Sequence, residues 1–433
     1  MSIRDKADEG LRRTVLPNGL TVLSEYMPGV RSVAFGAWVR AASLNETRER
    51  MGVSHLLEHM VFKGTQRRNA RDIALSLEQL GGSLDAYTSR EHTVYQARVL
   101  DEHLEIAADV IGDLVFEPVL RPADLALERN VVLEEIAMVE DTPDDLVFEL
   151  HNAAMWGDHP LGYSILGTRD TVSALDVPHL QDLHRSAYLP SQVLVAAAGN
   201  VDHDVLLDTL ARTGWHGREG VAAVTAAPAA RAAKPSRTTI ERPGSQTHIV
   251  LGSPTLGHND PRRHAMVLLS VVLGSGMSSR LFQRIREELG LAYAVYTFQN
   301  FYANSGVQGV YVGTATATAA AALSAIEEEL AIVVEKGLPD EEIAQGKGQL
   351  KGQITLSLES PSARMYRAAS VDLYGEPYRT LDEMLAQVDA IDPAVVHSLA
   401  REFLVPERQT VVTLGPPAPK PRGAGKRRAR PRG

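Results

Sequence analysis

Residues 52–65 read GVSHLLEHMVFKGT, and three of them can hold metals or move protons: His55, Glu58 and His59. On a helix, positions i, i+3 and i+4 share one face. Two imidazoles one turn apart can bind a single Zn²⁺, with the carboxylate beside the metal rather than on it. The neighbours Leu56, Leu57, Met60, Val61 and Phe62 make this a mostly buried helix. Three unpaired polar groups buried there would cost several kcal/mol, whereas coordination satisfies them. That weighs against plain core histidines.

A catalytic zinc takes three protein ligands and keeps one position open. The stretch ADLALERNVVLEEIAMVE (123–140) offers Glu128, Glu134, Glu135 and Glu140. Glu128 and Glu135 are two helical turns apart and share a face, while Glu134 points about 100° away. One of the aligned pair would be a ligand and the other would fix a histidine tautomer. Spacing alone leaves open which is which.

The elements that must position these residues follow from local patterns. RTVLPNGLTVLSE carries Asn18-Gly19 between two apolar runs, which predicts a hairpin with a tight two-residue turn. A third strand is expected at residues 32–40, a helix over Ala70–Leu80 stopped by Gly81-Gly82, and a strand pair at Ser83–Thr88 and Thr93–Val99. Helices follow around Asp101–Val115 and from Pro122. Strands and helices mix without a βαβ rhythm, so the fold class is α+β.

The chain then repeats itself. LGGSLDAYTSREHTVYQARVL (80–100) has a counterpart in LGLAYAVYTFQNFYANSGVQGVYV (289–312), and HRSAYLPSQVLVAAAG (184–199) in AREFLVPERQTVVTLG (400–415). A period of this size means duplication of a whole domain. The reading is a metal-carrying domain over 1–219, an Ala/Pro-rich linker over 220–238, a homologous domain without metal over 239–415, and a disordered basic tail over 416–433. Aligning Asp141-Thr142-Pro143 with Glu359-Ser360-Pro361 sets Gly346 opposite Glu128 and Gln353 opposite Glu135. The second half has no HLLEH, which points to one working site per chain.

Composition narrows the function. Cysteine is absent, so disulfides, cysteine–zinc clusters and thiol nucleophiles are excluded. The N-terminal charges and the lack of a long apolar run argue against export and membrane insertion, leaving the cytoplasm as the expected location. The formal charge is −10, yet residues 416–433 hold seven Lys/Arg and no acid. The acidic body that remains would repel nucleic acid. GSGM (274–277) lacks the Lys-Ser/Thr of a phosphate loop. His92, His103, His151 and His159 are expected to be ordinary hydrogen-bonding histidines.

HxxEH reverses the HExxH order of ordinary zinc peptidases and marks the inverzincins. On NETRERMGVSHLLEHMVFKGT, LGGSLDAYTSREHTVY, ERNVVLEEI and HPLGYSILG, the chain resembles the pitrilysin family of zinc peptidases. Its nearest branch is that of the mitochondrial processing peptidase β subunit and its bacterial relatives. The resemblance implies one zinc per chain on His55, His59 and Glu135, which lies 76 residues past His59. It makes Glu128 the accessory glutamate. Glu58 becomes the general base that takes a proton from a metal-activated water and passes it to the leaving amine. An Arg and a Tyr seven apart in the second half would stabilise the oxyanion; Arg286 and Tyr293 fit, with Arg280 and Arg284 as rivals for the arginine. Substrate would add to the edge strand in LDAYTS, at Asp85, Ala86 and Tyr87, through main-chain hydrogen bonds. Family members often carry Asn at the place of Asp85.

The substrates so implied are unfolded peptides or presequence-like segments. The implied partner is a second copy or an inactive homologous subunit. A competing reading is a structural subunit like the core proteins of the cytochrome bc complex. Those have degraded motifs, whereas His55, Glu58, His59 and Glu135 are intact here. A His₂Glu site also accepts Mn²⁺ or Co²⁺.

Overall fold

The computed structural model describes residues 10–215, 222–224 and 226–417. Two sheets carry the architecture. The first holds β1 (Leu11–Val15), β2 (Thr21–Tyr26), β3 (Ser32–Val39), β4 (Ser83–Thr88), β5 (Thr93–Leu100) and β6 (Val193–Gly199), in the order β1-β2-β6-β3-β5-β4. The second holds β7 (Arg237–Glu241), β8 (Thr247–Thr255), β9 (Ala292–Phe301), β10 (Gly306–Thr314) and β11 (Thr410–Gly415), in the order β7-β11-β8-β10-β9. Stripped of β1, the two orders are the same. In each sheet one pair is parallel, β2 with β6 and β7 with β11, and the other pairs are antiparallel. The expected α+β duplication is therefore present strand for strand.

Three expectations need correction. The first hairpin is not a two-residue Asn-Gly turn. The Gly19 amide donates to the Leu16 carbonyl, so Pro17 and Asn18 form the turn and Gly19, at φ +87°, makes the left-handed bulge. Pro17 presets the first turn position, which moves the turn back by one residue. The linker is also shorter than expected, because Arg237 and Thr238 already pair with β11. What precedes them is anchored: the Ala233 amide donates to the Met155 carbonyl, and Ala230 and Ala232 pack against the cluster of Met155, Trp156, Leu161 and Val307. The helix expected from Asp101 opens as a 3-10 turn, Asp101–His103, before the α-helix Leu104–Phe116. Most of the basic tail, from residue 418 on, lies outside the described residues.

The two halves exchange a helix. Pro143–Trp156, which precedes β6 of the first sheet, lies across β8 and β11 of the second. Pro361–Leu373, from the second half, lies across β2, β3 and β6 of the first. Small residues admit it: Ala34, Ala196 and Ala198 meet Met365, Ala368 and Ala369, and a Cβ on Gly36 would stand 3.3 Å from the Met365 sulfur. In the reciprocal contact Val147 meets Val250, Tyr311 and Val412, and the His151 ring lies on Gly252, where a Cβ would come within 2.9 Å. Polar locks sit in the same seams. Glu25, 1% exposed, accepts from Arg364 Nη1 at 2.8 Å and from the Tyr378 hydroxyl at 3.3 Å. His151 Nε2 donates to the Thr410 carbonyl at 3.2 Å.

Burial holds His151 neutral, its pKa pushed down from 6.5 to about 4 despite that carbonyl. The unfolded chain therefore binds the extra proton between those values. Stability from this seam is complete above pH 6.5 and falls as the pH drops toward 4, by up to about 3 kcal/mol. His151→Gln keeps a donor for Thr410 but cannot titrate. Thermal midpoints measured from pH 7 to 4.5 should fall less steeply for the variant than for the natural chain.

Candidate functional site

The HLLEH segment forms a nine-residue helix, Val53–Val61. A helix this short is marginal alone, so its setting must fix it. Gly52 caps it at φ +88°, with the backbone of Leu166 and Gly167 so close that a Cβ would lie 2.6 Å from the Leu166 oxygen. The buried Glu46 carboxylate accepts from the Gly52 amide at 2.9 Å and the Ser54 amide at 2.8 Å. A carboxylate at this end satisfies two orphan donors and complements the helix dipole. Burial raises the Glu46 pKa, and these amides pull against that rise. Glu46 and the Gly52–Gly167 contact lie within quoted motifs, but no spacing rule singles them out.

The helix Pro122–Asp141 crosses this one and brings Glu135 over the histidines. Glu135 Oε2 is 3.6 Å from His55 Nε2, and its Oε1 is 3.6 Å from His59 Nε2. One ligand atom from each of the three lies within 4.8 Å of the others. Tetrahedral zinc with bonds near 2.1 Å would set ligand atoms about 3.4 Å apart, so the donor set fits that ion. Glu135 keeps its side chain 35% exposed, which leaves solvent access on the open side. Glu128, two turns earlier and buried, instead holds His59 from behind: its Oε2 stands 3.2 Å from Nδ1. That contact leaves Nε2 of His59 facing Glu135. Lys63, a further residue not foreseen, pairs with Glu128 Oε1 at 2.7 Å. Its signal was present, since it continues the i+4 series from His55 and His59. Glu134 is exposed.

Electrostatics suit the two kinds of group. Burial, with the nearby His59, pushes the His55 pKa down to about 3, which keeps the imidazole neutral, the form able to hold a metal. Burial raises the Glu58 pKa, and the Thr88 hydroxyl opposes this by donating to Oε2 at 2.6 Å. Glu58 is 8% exposed and points to the strand side of the helix, toward β4. Thr88, the last residue of β4, thus ties the edge strand to the carboxylate.

β4 is an edge strand, as LDAYTS suggested. Its side chains divide by face. Leu84 and Ala86 pack on the core beneath the helix Val53–Val61. Tyr87 turns the other way, its ring 6.3 Å from Tyr366 of the exchanged helix. Packing therefore occupies the Tyr87 ring. Asp85 is exposed.

Arg286 and Tyr293 are brought to each other but not to the histidines. Arg286 lies in a π-helical stretch, Phe282–Glu288, a geometry that is rare and concentrated at functional sites. Its guanidinium sits 4.4 Å from the Tyr293 ring centroid and donates to the Tyr293 carbonyl at 3.1 Å. Tyr293 is 75% exposed. The rival arginines are engaged elsewhere, Arg280 with Glu342 and Glu329, and Arg284 with Glu288. His151 and His159 hold backbone groups, as expected of ordinary histidines.

Comparison with known proteins places this geometry. The family description "Insulinase (Peptidase family M16)" matches residues 21–169, and "Peptidase M16 inactive domain" matches residues 174–350. A protein named a zinc protease in Streptomyces coelicolor is 40% identical over 423 residues, covering 95% of this chain and 91% of the relative. The zinc protease YmxG of Bacillus subtilis is 38% identical over 393 residues, covering 91% and 95%. Among solved structures, a peptidase M16 inactive domain from Pseudomonas fluorescens superposes with a TM-score of 0.88 at 21% identity, covering 95% and 99%. A protease from Helicobacter pylori does so at 0.86 and 19%, covering 94% and 99%. These two share the fold. Together, the matches make the protein a peptidase. The chain belongs to peptidase family M16.

Metal affinity can be measured by competition with a chromophoric chelator. Replacing His55, His59 or Glu135 should abolish tight binding of a divalent ion. Glu128→Gln should weaken it by about 10- to 100-fold, as expected for a residue that only orients a ligand.

Proposed function

We propose that the protein is a zinc-dependent endopeptidase acting on unfolded peptides or presequence-like segments in the cleft between its halves. The observation that carries this reading is the convergence of His55, His59 and Glu135, with Glu58 one turn along the same buried helix. When bound, the zinc would act as a Lewis acid and bring the pKa of a coordinated water toward neutrality. Glu58 is the base. Thr88 occupies Oε2, so Oε1 takes the proton from the attacking water and delivers it to the leaving nitrogen. Glu128 and Lys63 hold His59 in one tautomer and orientation.

The substrate runs as an extended strand along the open edge of β4, held by the main chain at Asp85, Ala86 and Tyr87. Reading the backbone rather than side chains suits a tolerant peptidase. The acidic protein, with Asp85 on that edge, favours basic peptides. Arg286 and Tyr293 are assigned to the scissile carbonyl, which they would reach across the cleft from the second half or from a second copy. A dimer, with itself or with an inactive homologue, and a cytoplasmic location belong to the same proposal. No helix among the described residues is long and apolar enough to cross a membrane. The intact site stands against the structural-subunit reading.

The experiment is cleavage of an unstructured, quenched-fluorescent basic peptide by the purified chain. Glu58→Gln should lower kcat by about 10²- to 10⁴-fold while still binding zinc. Arg286→Ala and Tyr293→Phe should each lower kcat by about 10- to 100-fold, also with zinc retained. If the natural chain binds zinc yet cuts no peptide, the catalytic reading fails for the isolated chain.

A further inference from the structure

Two equivalent hairpins meet tip to tip at the boundary between the halves. β4 and β5 close through residues 89–92, between the paired Thr88 and Thr93. β9 and β10 close through residues 302–305, between the paired Phe301 and Gly306. Glu91, in the first tip, reaches into the second half with both oxygens. Its Oε1 accepts from the Ala303 amide at 2.8 Å and its Oε2 from the Tyr374 hydroxyl at 2.9 Å. Tyr374 is the residue that ends the exchanged helix Pro361–Leu373.

The same tip holds the first half from its other side. The Leu44 amide donates to the Arg90 carbonyl at 2.8 Å, and the buried Arg90 side chain donates to the Tyr163 carbonyl. Just before the tip, Thr88 donates to Glu58 at 2.6 Å. So the hairpin end that fixes the candidate base is itself fixed by a carboxylate planted in the second half.

Duplication does not impose this contact. Hairpin register sets Asn304 opposite Glu91, and the helix correspondence sets Trp156 opposite Tyr374. The Glu91 carboxylate has one acceptor oxygen for each of its two donors.

We propose that Glu91 is a positioning residue: through it the second half holds the β4–β5 hairpin, and hence Thr88, in register with Glu58. Its kinetic consequence rests on the peptidase reading; the structural claim does not. Without the carboxylate the tip keeps only the Arg90–Tyr302 contact to the second half, and the Thr88 hydroxyl loses its fixed aim at Glu58.

The test uses the zinc-loaded full chain carrying Glu91→Ala, Glu91→Gln or Tyr374→Phe, each alone and combined with Thr88→Val. Glu91→Ala should lower kcat/KM for the quenched peptide about tenfold. Glu91→Gln, which keeps one acceptor, and Tyr374→Phe, which removes one donor, should each lower it less. In the Thr88→Val background Glu91→Ala should add little, because Glu91 acts through Thr88. Zinc affinity should stay at the natural value. An undiminished loss in the Thr88→Val background, a parallel fall in zinc affinity, or unchanged kinetics would overturn the proposal. If the natural chain cuts no peptide, amide hydrogen exchange decides. Glu91→Ala and Tyr374→Phe should speed exchange at residues 83–100 and leave 53–61 as they were; unchanged exchange at the hairpin would reject it.

Discussion

Each sheet in this protein is covered on one face by a helix borrowed from the other half, and the remaining architecture depends on that exchange. Leu23, Trp38 and Leu194 are fully or almost fully buried only because Met365 and its neighbours lie on them. Val250 and Val412 owe their burial to Val147 in the same way. Burying such side chains is worth about 1.5–3 kcal/mol each, so neither half can forgo the other without exposing a sheet face. A carboxylate as deeply buried as Glu25 is tolerable because Arg364 arrives from 339 residues away to meet it. The packing of the two halves against each other is therefore set by their shared cores.

Within that symmetric frame the candidate metal cluster lies in one half. The first half places two histidines and three carboxylates where Val53–Val61 crosses Pro122–Asp141. At the corresponding crossing the second half packs Gly346 directly on Leu268 and Val272. Removing Glu128 from the scheme lets two helices close together; keeping it requires Lys63 and His59 as partners. One copy of the fold has thus been given to packing and the other to a polar cluster that packing alone would not support.

Much of this was legible in the residues. The face shared by His55, Glu58 and His59, the two-turn alignment of Glu128 with Glu135 and the internal repeat follow from periodicity, the edge position of LDAYTS was implied by the family resemblance, and the folded chain displays each of them. Spacing could not say which glutamate faces both histidine Nε2 atoms, because that depends on how two helices cross. Nor could it find Glu46, whose role arises from a loop folding back on a helix end, or Glu91, whose partners lie more than 200 residues away. The helix exchange was equally hidden: the pattern of Pro143–Trp156 says that one face is apolar and not which sheet it covers. Local signals misled where they competed, as when Pro17 took the turn from Asn18-Gly19.

An unpaired edge such as β4 is also an aggregation hazard, since it offers its backbone to any strand, including the same edge of another molecule. Asp85 lies exposed near the middle of that strand. Two such edges aligning antiparallel would bring like charges close together in a low-dielectric seam, which disfavours the pairing. A basic or neutral peptide meets no such penalty. The same side chain can therefore act as a gatekeeper, so that an edge left open for short-lived guests is guarded against permanent ones.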